Sequence, residues 1–316
     1  MNTDTRVAVT SRSFSRNPEL RQALLERYAN VTFNDEGLSL KGQALIDFLR
    51  GHNKAVTALE ILDEAVFEAV PELRVVGKYG VGLDMIDLAA MQRHGVKLGW
   101  KGGVNRRSVT ELVISFAIAL LRHVPHAHRE VLGGTWRQHV GRQLTGRTVG
   151  IIGCGHIGKD LVPILKAFDC RVLAHDLLDF PDFYARHGVE AVDLETLLRE
   201  AEIVTVHLPL DGSTRDILSA DRLALMKPDA VLINAARGGL VDEVALREAL
   251  KDGRLGGAAF DVFASEPPED QELLQLPNFL VTPHIGGSSA EAILAMGMAA
   301  IEGLDSAGDP LVVAKS

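Results

Sequence analysis

The feature that most constrains the fold is a glycine-rich turn after an apolar run, V-G-I-I-G-C-G-H-I-G over residues 149–158. The apolar run ends in Gly153, Gly155 and Gly158, and a helix-compatible segment follows. In a strand–turn–helix unit, this spacing allows a tight turn, close approach of a pyrophosphate and close packing of the helix on the strand. The free amides of that helix N-terminus favour phosphate. The pattern therefore predicts a dinucleotide site in a doubly wound Rossmann sheet.

An acidic residue stands at the expected distance after the turn. Residues 147–152 predict a buried strand, 159–168 a helix, and 171–174 a second strand that ends just before Asp176. The acid that bonds a ribose 2′-hydroxyl follows the glycine turn by about 20 residues in such units. Because this carboxylate would repel a 2′-phosphate, the sequence favours NAD over NADP.

Composition narrows the class of protein. The chain of 316 residues is long enough for two domains. The net charge of −9 argues against a nucleic-acid partner, and no apolar run reaches the length of a membrane span. The N-terminal segment has no signal-peptide apolar region, and two cysteines provide neither a disulfide framework nor a metal cluster. We therefore expect a cytoplasmic protein without a metal site.

Strand and helix signals alternate in two blocks. The first block, up to residue 102, predicts a small flavodoxin-like α/β domain, with a helix that Asn17 caps and Pro18 opens. Its predicted strands are 6–10, 31–33, 55–59 and 73–76, and its further helices are 42–50, 62–69 and 84–94. The second block, 103–284, predicts the Rossmann domain, with strands at 148–152, 171–174, 203–206, 230–233, 257–260 and 279–282.

Two helices lie at the ends of the second block. Ser108 and Glu111 form a predicted capping box before a long apolar helix. The residues after 285 hold one predicted helix, at about 288–304, which is too little for a domain. We therefore expect residues 285–316 to pack back on the first domain, making the substrate domain discontinuous.

Three polar residues follow predicted strands near the edge where open α/β sheets bind ligands. Arg237 follows the strand at 230–233, Glu266 the strand at 257–260 and His284 the last strand. His284 is predicted to exchange a proton with a substrate hydroxyl or carbonyl. Glu266 would orient the imidazole and stabilise its protonated form, and Arg237 would hold a substrate carboxylate. This set is suited to hydride transfer at a hydroxyl-bearing carbon.

The chain also resembles the D-isomer-specific 2-hydroxyacid dehydrogenase family, which includes phosphoglycerate dehydrogenase. The similarity covers about residues 50–303. The segments that carry it are VVGKYGVGLDMIDL (75–88), GVNRRSVTEL (103–112), LTGRTVGIIGCGHIG (144–158), TVHLPL (205–210), LINAARGGLVDEVAL (232–246), GAAFDVFASEPP (257–268) and VTPHIGGSS (281–289). The resemblance implies an NAD-dependent oxidoreductase that interconverts a D-2-hydroxy acid and its 2-oxo acid, and a homodimer joined through the cofactor domain near Trp136.

The resemblance also assigns residues to ligands. Arg237, Glu266 and His284 occupy the catalytic positions. The cofactor contacts that it implies are His156 and Ile157 at the pyrophosphate, Asp176 at the adenosine ribose, and the turn residues His207, Leu208, Pro209, Ala235, Ala236, Asp261 and Gly286. A backbone clamp for the substrate carboxylate maps onto Gly80, Val81 and Gly82.

Departures from the family pattern concern the substrate. Lys78 stands where phosphoglycerate dehydrogenases commonly have Arg, and Trp100-Lys101-Gly102 replaces an N-T-P-type segment. If Lys78, Lys101 and Arg106 line the cleft between the domains, they favour a doubly anionic substrate that resembles 3-phosphoglycerate.

Two alternatives stay open from the sequence. One is a glyoxylate or hydroxypyruvate reductase, which shares the chemistry but needs no second anion pocket. The other is a non-catalytic NAD-binding sensor of the corepressor type, since such a protein can retain the arginine, glutamate and histidine.

Overall fold

The computed structural model describes residues 2–315, which divide into two compact units. The first comprises the residues up to Asn105 together with those from Ser289 onward, and the second runs from Arg106 to Ser288. The predicted boundaries, at 102/103 and 284/285, lie a few residues before these. Each unit has its own parallel sheet and its own core.

The first unit is built on a five-stranded sheet. Its elements before the second unit are β1 (Asn2–Val9), α1 (Arg12–Arg16), α2 (Pro18–Leu25), β2 (Tyr28–Phe33), α3 (Gln43–Leu49), β3 (Lys54–Thr57), α4 (Glu64–Ala69), β4 (Val75–Lys78), α5 (Leu88–Arg93) and β5 (Lys97–Gly99). The strand order β2-β1-β3-β4-β5, all parallel, is the flavodoxin-like order. The predicted fold class is confirmed for this unit, although the three-residue strand β5 was not predicted.

The second unit is built on a seven-stranded sheet. Its elements are α6 (Arg106–Leu121), α7 (Val124–Leu132), β6 (Thr148–Ile152), α8 (His156–Ala167), β7 (Arg171–His175), α9 (Pro181–His187), β8 (Val189–Ala191), α10 (Leu194–Glu200), β9 (Ile203–Val206), α11 (Ala220–Leu223), β10 (Val231–Asn234), α12 (Glu243–Lys251), β11 (Gly257–Phe260), α13 (Gln271–Leu274) and β12 (Phe279–Val281). The order β12-β11-β10-β9-β6-β7-β8 is that of a Rossmann sheet with one added strand. After β8 the chain crosses back to the middle of the sheet and places β9 on the other side of β6. Sheets of this kind bind ligands at the carboxyl ends of these two strands.

The central strands of this sheet are buried on both faces. All residues of β9, β10 and β11 are buried, and their side chains alternate between two apolar clusters. Ile233, for example, packs in one cluster and its neighbour Leu232 in the other. Continuous apolar runs of this kind are typical of parallel strands covered by helices on both faces, which is why these strands were predicted within a residue or two.

The start of α6 corrects one prediction. The helix begins at Arg106, so Ser108 lies within its first turn and does not cap it. The Ser108 hydroxyl instead donates to the carbonyl of Gly286 at 2.6 Å. The predicted capping box of Ser108 and Glu111 is therefore wrong, because the helix starts two residues before its supposed cap.

The residues after the second unit return to the first sheet. They form α14 (Ala290–Ser306) and a short α15 (Pro310–Val313) that was not predicted. The helix α14 packs closely on β4 and β5: a Cβ on Gly99 would lie 2.2 Å from the Gly303 carbonyl oxygen. The Lys54 ammonium donates to the Leu304 carbonyl at 2.5 Å and to the Asp305 carboxylate at 3.0 Å, which ties the end of α14 to β3.

Among the described helices, none is by itself long and apolar enough to cross a bilayer. The pair α6 and α7 reaches the required length and apolarity only when taken together across a bend of 63°.

Candidate active site

The glycine turn connects β6 to α8 in a geometry that only glycine allows. Gly153 has φ +96°, and a Cβ on it would lie 2.6 Å from the His207 carbonyl oxygen. A Cβ on Gly158 would lie 2.5 Å from the Gly153 carbonyl oxygen, so the helix packs directly against the turn. Around Gly155, by contrast, a Cβ would meet no described atom within 4 Å.

The N-terminus of α8 is suited to phosphate. Its N-cap is Gly155, and no side chain caps its first amides. His156 and Ile157 form its first turn, where His156 is exposed and Ile157 half-buried. Uncapped amides at the positive end of a twelve-residue helix attract an anion. This end of α8, with open space at Gly155, fits the pyrophosphate of a dinucleotide.

Asp176 lies beside the same turn, directly after β7. One oxygen of its carboxylate accepts from the Cys154 amide at 2.6 Å and the other accepts from the Leu178 amide at 2.9 Å. The structure thus brings Asp176 and the glycine turn together. The carboxylate is half-buried, and it also fixes the backbone of the turn.

His207 opens the turn that continues through Leu208 and Pro209 after β9. Its Nε2 lies 2.9 Å from the Thr205 hydroxyl, whereas its buried Nδ1 has no hydrogen-bond partner among the described residues. Burial lowers the pKa of His207 to about 4, so the imidazole is neutral at neutral pH. A buried polar atom without a partner indicates a group that a ligand satisfies, which again fits a dinucleotide at this edge.

The two residues predicted as an acid–base pair lie in contact. Nδ1 of His284 is 2.9 Å from Oε2 of Glu266, and the second oxygen of Glu266 accepts from the Phe263 amide at 3.1 Å. Both side chains are about half exposed. Because a carboxylate only accepts, Nδ1 carries the ring proton in this contact, and Nε2 is the nitrogen that remains for proton exchange with a ligand.

Asp261 holds the turn that presents His284. Its carboxylate, 1% exposed, accepts from the Thr282 hydroxyl at 2.5 Å and from the amides of Ile285 and Gly286, each at 2.7 Å. Both oxygens of the Asp261 carboxylate thus accept hydrogen bonds within the unit, and its predicted contact with the cofactor stays a prediction. The amide and carbonyl of Gly286 are likewise engaged, with Asp261 and Ser108.

Arg237 follows β10 in a turn that a buried amide shapes. The Asn234 side chain donates to the Arg237 carbonyl at 2.9 Å and accepts from the Ala236 amide at 3.1 Å. The guanidinium donates to the Ala236 carbonyl at 2.7 Å, and Ala235 and Ala236 are 8% exposed. The sequence analysis did not assign this role to Asn234, although an Asn that ends a buried strand before a glycine pair is a turn signal.

Gly238 joins this turn to the next one. A Cβ on Gly238 would lie 1.9 Å from the carbonyl carbon of Phe263. The backbones after β10 and β11 are therefore in direct contact, which brings the segment of Arg237 beside the loop of Glu266. Sequence reasoning missed this role, because only the fold shows which backbone the glycine meets.

The substrate residues predicted in the first unit differ in exposure. Val81 and Gly82 are half-buried, and the Val81 carbonyl accepts from the Trp100 indole at 3.1 Å. Lys101 is exposed. Lys78 is 3% exposed, and its ammonium donates to the carbonyls of Ala58 at 2.6 Å and Tyr79 at 3.4 Å. The ammonium of Lys78 is thus held by backbone carbonyls within the unit, and its predicted role toward a substrate anion stays a prediction.

Arg106 belongs to the second unit. Its guanidinium lies 3.7 Å from the Asp160 carboxylate, which Arg107 also contacts at 3.0 Å. The predicted grouping of Arg106 with Lys78 and Lys101 in one anion pocket gains no support from these contacts, because an acidic partner already lies beside Arg106.

Comparison with known proteins identifies the family. Residues 114–286 match the family described as D-isomer specific 2-hydroxyacid dehydrogenase, NAD binding domain. A hydroxypyruvate reductase of Thermotoga maritima is 37% identical over 246 residues, which are 75% of this chain and 78% of that protein. A D-3-phosphoglycerate dehydrogenase of Methanocaldococcus jannaschii is 40% identical over 235 residues, 73% of this chain and 45% of that protein. The chain thus spans about half the length of several curated relatives that it matches.

A solved structure has the same fold. A protein of Thermus thermophilus superposes with a TM-score of 0.86 at 32% identity, covering 95% of this chain and 96% of that one. The predicted resemblance is confirmed by the family match and the curated relatives, and the predicted cofactor, NAD(H), by the family match. The chain therefore belongs to the D-isomer-specific 2-hydroxyacid dehydrogenase family and contains the NAD-binding domain of that family.

Proposed function

We propose that this protein is an NAD-dependent D-2-hydroxyacid dehydrogenase that interconverts a D-2-hydroxy acid and its 2-oxo acid. The observation that carries the proposal is the contact between His284 and Glu266, which follow neighbouring strands of a Rossmann sheet. The names of relatives support it, since they include D-3-phosphoglycerate dehydrogenases and a hydroxypyruvate reductase.

Each residue of the proposed site has a separate task. Bound NADH supplies the hydride for reduction of the 2-oxo carbon. His284 holds the proton that passes from Nε2 to the carbonyl oxygen, and Glu266 keeps the ring in place and stabilises its protonated form. Arg237 binds the substrate carboxylate through its planar fork. In the oxidative direction His284 accepts the proton from the hydroxyl.

The cofactor contacts that we propose all lie in the second unit. The N-terminus of α8, with Gly155, His156 and Ile157, binds the pyrophosphate, and Asp176 binds the adenosine ribose. The turns at 207–209 and 235–236 cover the remaining parts of the dinucleotide. Asp176 disfavours a 2′-phosphate, so NADH is the better substrate and NADPH the poorer one.

The first unit is the proposed substrate domain, and its clamp is the backbone of Gly80, Val81 and Gly82. The Trp100 indole fixes the Val81 carbonyl at 3.1 Å. A Cβ on Gly80 would lie 3.2 Å from the Lys78 ammonium, so this buried cation lies directly beneath the clamp. We propose that the positive charge of Lys78 attracts the substrate carboxylate without direct contact, and that Lys78 does not bind a second anion.

This assignment favours a small 2-oxo acid with one carboxylate, such as hydroxypyruvate or glyoxylate. The Thermotoga maritima relative, of which the chain covers 78%, is a hydroxypyruvate reductase. A phosphorylated substrate is the second candidate, because the Methanocaldococcus jannaschii relative is a D-3-phosphoglycerate dehydrogenase and Lys101 is exposed in the first unit.

We also propose that two copies associate through the second unit. Leu132, Trp136 and Val140 are 74%, 87% and 97% exposed, and such a concentration of apolar surface marks an interface. A second copy is the occupant that the resemblance implies. Light scattering should give a dimer mass, and Trp136→Asp should shift it to a monomer.

The two buried, unpaired thiols, Cys154 and Cys170, suit a reducing, cytoplasmic setting.

The test of the activity is NADH oxidation by the purified full chain with a panel of 2-oxo acids: hydroxypyruvate, glyoxylate, 3-phosphohydroxypyruvate, oxaloacetate and a branched-chain acid. Turnover of hydroxypyruvate or glyoxylate, lost in His284→Gln, supports the proposal. Turnover of 3-phosphohydroxypyruvate alone supports the dehydrogenase activity but overturns the assignment of hydroxypyruvate or glyoxylate as the substrate. Binding of NADH without turnover of any member favours a non-catalytic sensor.

A further inference from the structure

A cluster of two histidines and a glutamate lies on the second unit, away from the residues assigned above. His126 and Glu130 are one turn apart on α7, and Nε2 of His126 lies 3.4 Å from one oxygen of Glu130. Nε2 of His139, from the following segment, is hydrogen-bonded to the other oxygen of Glu130. The three ligand atoms lie within 4.8 Å of one another.

The donor set is that of a zinc-type site. Two imidazoles and one carboxylate bind Zn²⁺ at about 2.0–2.2 Å, which in tetrahedral geometry separates the donors by about 3.4 Å. The His126–Glu130 distance of 3.4 Å matches that spacing, and the three ligand atoms lie within 4.8 Å of one another.

An ion can reach this cluster from solvent. The side chains of His126, Glu130 and His139 are 35%, 18% and 16% exposed, and His126 lines a cavity of about 510 Å³. Arg129, the residue before Glu130, donates to the carbonyls of Leu276 and Pro277, which precede β12. The cluster therefore lies at the amino edge of the sheet, whereas His284 follows the carboxyl end of the same strand.

The segment that carries His139 has few other attachments. The amide of Thr135 donates to the Glu130 carbonyl and the amide of Arg142 to the Leu121 carbonyl. Between these points, residues 136–141 make no backbone–backbone hydrogen bond within the described chain. The contact between His139 and Glu130 therefore attaches the middle of this segment to α7, while Gly141 packs at its end against the Leu121 carbonyl, 2.5 Å from where its Cβ would lie.

We propose that His126, Glu130 and His139 bind one transition-metal dication of the Zn²⁺ type, with water as a further ligand, and that the ion fastens residues 136–141 to α7. The role is structural, since the cluster and the proposed catalytic pair lie at opposite edges of the sheet. The site was not predicted from the sequence, because the Cys and His spacings that signal zinc are absent and His139 meets the other two only through the fold.

The test is calorimetric titration of the tag-free, chelator-treated full chain with Zn²⁺ alone. We expect one ion per chain with low-micromolar or tighter affinity. His126→Ala, Glu130→Gln and His139→Ala should each weaken it by at least about 100-fold, since loss even of an outer-shell partner costs about 10–100-fold. His128→Ala is the matched control, because His128 is exposed on the same helix outside the cluster and its loss should leave binding unchanged.

A second readout reports the structural role. Arg137 lies in the attached segment and is exposed within one copy of the chain. In the Trp136→Asp background, which the proposed dimer contact predicts to be monomeric, trypsin should cleave after Arg137 more slowly when Zn²⁺ is present, with or without His128→Ala, but not with Glu130→Gln. Circular dichroism should show that every variant is folded. Absence of saturable binding, or equal binding by Glu130→Gln and the wild type, overturns the site. Binding that leaves cleavage after Arg137 unchanged overturns the fastening role.

Discussion

Nδ1 of His284 lies 2.9 Å from Oε2 of Glu266, although the two residues belong to different loops and are 18 positions apart. His284 has φ +56°, in the left-handed region that costs a non-glycine residue about 1–3 kcal/mol. The three hydrogen bonds that Asp261 accepts from residues 282–286 offset this cost. The strained backbone of His284 is therefore stabilised by Asp261, and it holds the imidazole against the carboxylate of Glu266. A proton-transfer pair requires this arrangement.

Replacing Glu266 by Gln should reduce turnover. The charge-assisted hydrogen bond between the carboxylate and Nδ1 of His284 becomes a weaker, neutral one, so the imidazole is held less firmly. His284→Gln should lower kcat by about 10²–10⁴-fold. The measurement is kcat, with NADH binding followed by fluorescence.

The control for Glu266→Gln is Glu269→Gln, since Glu269 is exposed three positions further along. It should leave turnover unchanged. Unaltered turnover in Glu266→Gln would contradict the assigned role, and loss of NADH binding in His284→Gln would mean that His284 serves the cofactor instead.

Asp176→Asn should reduce the preference for NADH over NADPH. The amide can still accept from the Cys154 backbone, so the glycine turn is retained while the charge is removed. Loss of a charged hydrogen bond to the ribose should raise KM for NADH about 10-fold or more, and NADPH should be used relatively better. Steady-state kinetics with both cofactors measure the change, with the exposed Asp179→Asn as control. If the ratio stays the same, the ribose is recognised by other residues.

The doubly wound fold and the cofactor turn could be predicted because their signals are local. Gly153, Gly155 and Gly158 stand at a spacing that one turn geometry imposes, and the buried parallel strands are continuous apolar runs. The short strands β5 (Lys-Leu-Gly) and β8 (Val-Glu-Ala) were missed because each holds only one or two apolar residues. The equally short β12 (Phe-Leu-Val) was predicted because it is apolar throughout. The start of α6 was misplaced because Ser108 bonds to Gly286, a contact distant in sequence.

The chemistry of single side chains was predictable only in part. The positions of His284 and Glu266 follow from strand ends and from the resemblance, and the structure brings them into contact. The environments of Lys78 and Asp261 do not follow from sequence, because burial and backbone partners decide whether a charge meets a ligand. The cluster around Glu130 depends on a loop that returns to α7, which no local pattern specifies.

Gly238→Ala should impair both stability and turnover. The added Cβ would lie 1.9 Å from the Phe263 carbonyl carbon, so the turn of Arg237 and the loop of Glu266 must separate. Overpacking of this kind costs about 1–3 kcal/mol, and kcat should fall because the two loops carry the proposed catalytic residues. Thermal unfolding and steady-state kinetics measure the two effects. Gly212→Ala, where a Cβ meets no described atom within 4 Å, should change neither. Full activity in Gly238→Ala would show that the contact between the loops is not needed.

His207 should make the protein lose stability in mild acid. Burial lowers the pKa of His207 to about 4 in the folded chain, whereas an unfolded histidine has a pKa of about 6.5. Below about pH 6.5 the unfolded state therefore binds a proton that the folded state does not, and the free energy of unfolding falls as the pH drops toward 4. The full effect is about 3 kcal/mol. Denaturant unfolding at pH 7.5, 6 and 5 measures it, and His207→Gln, which has no titrating ring, should show a flatter profile.

Because Nδ1 of His207 has no partner within the described residues, saturating NADH should change the pH dependence of the wild type more than that of His207→Gln. Parallel profiles for the two proteins would mean that another group sets the acid stability and that His207 does not respond to the cofactor.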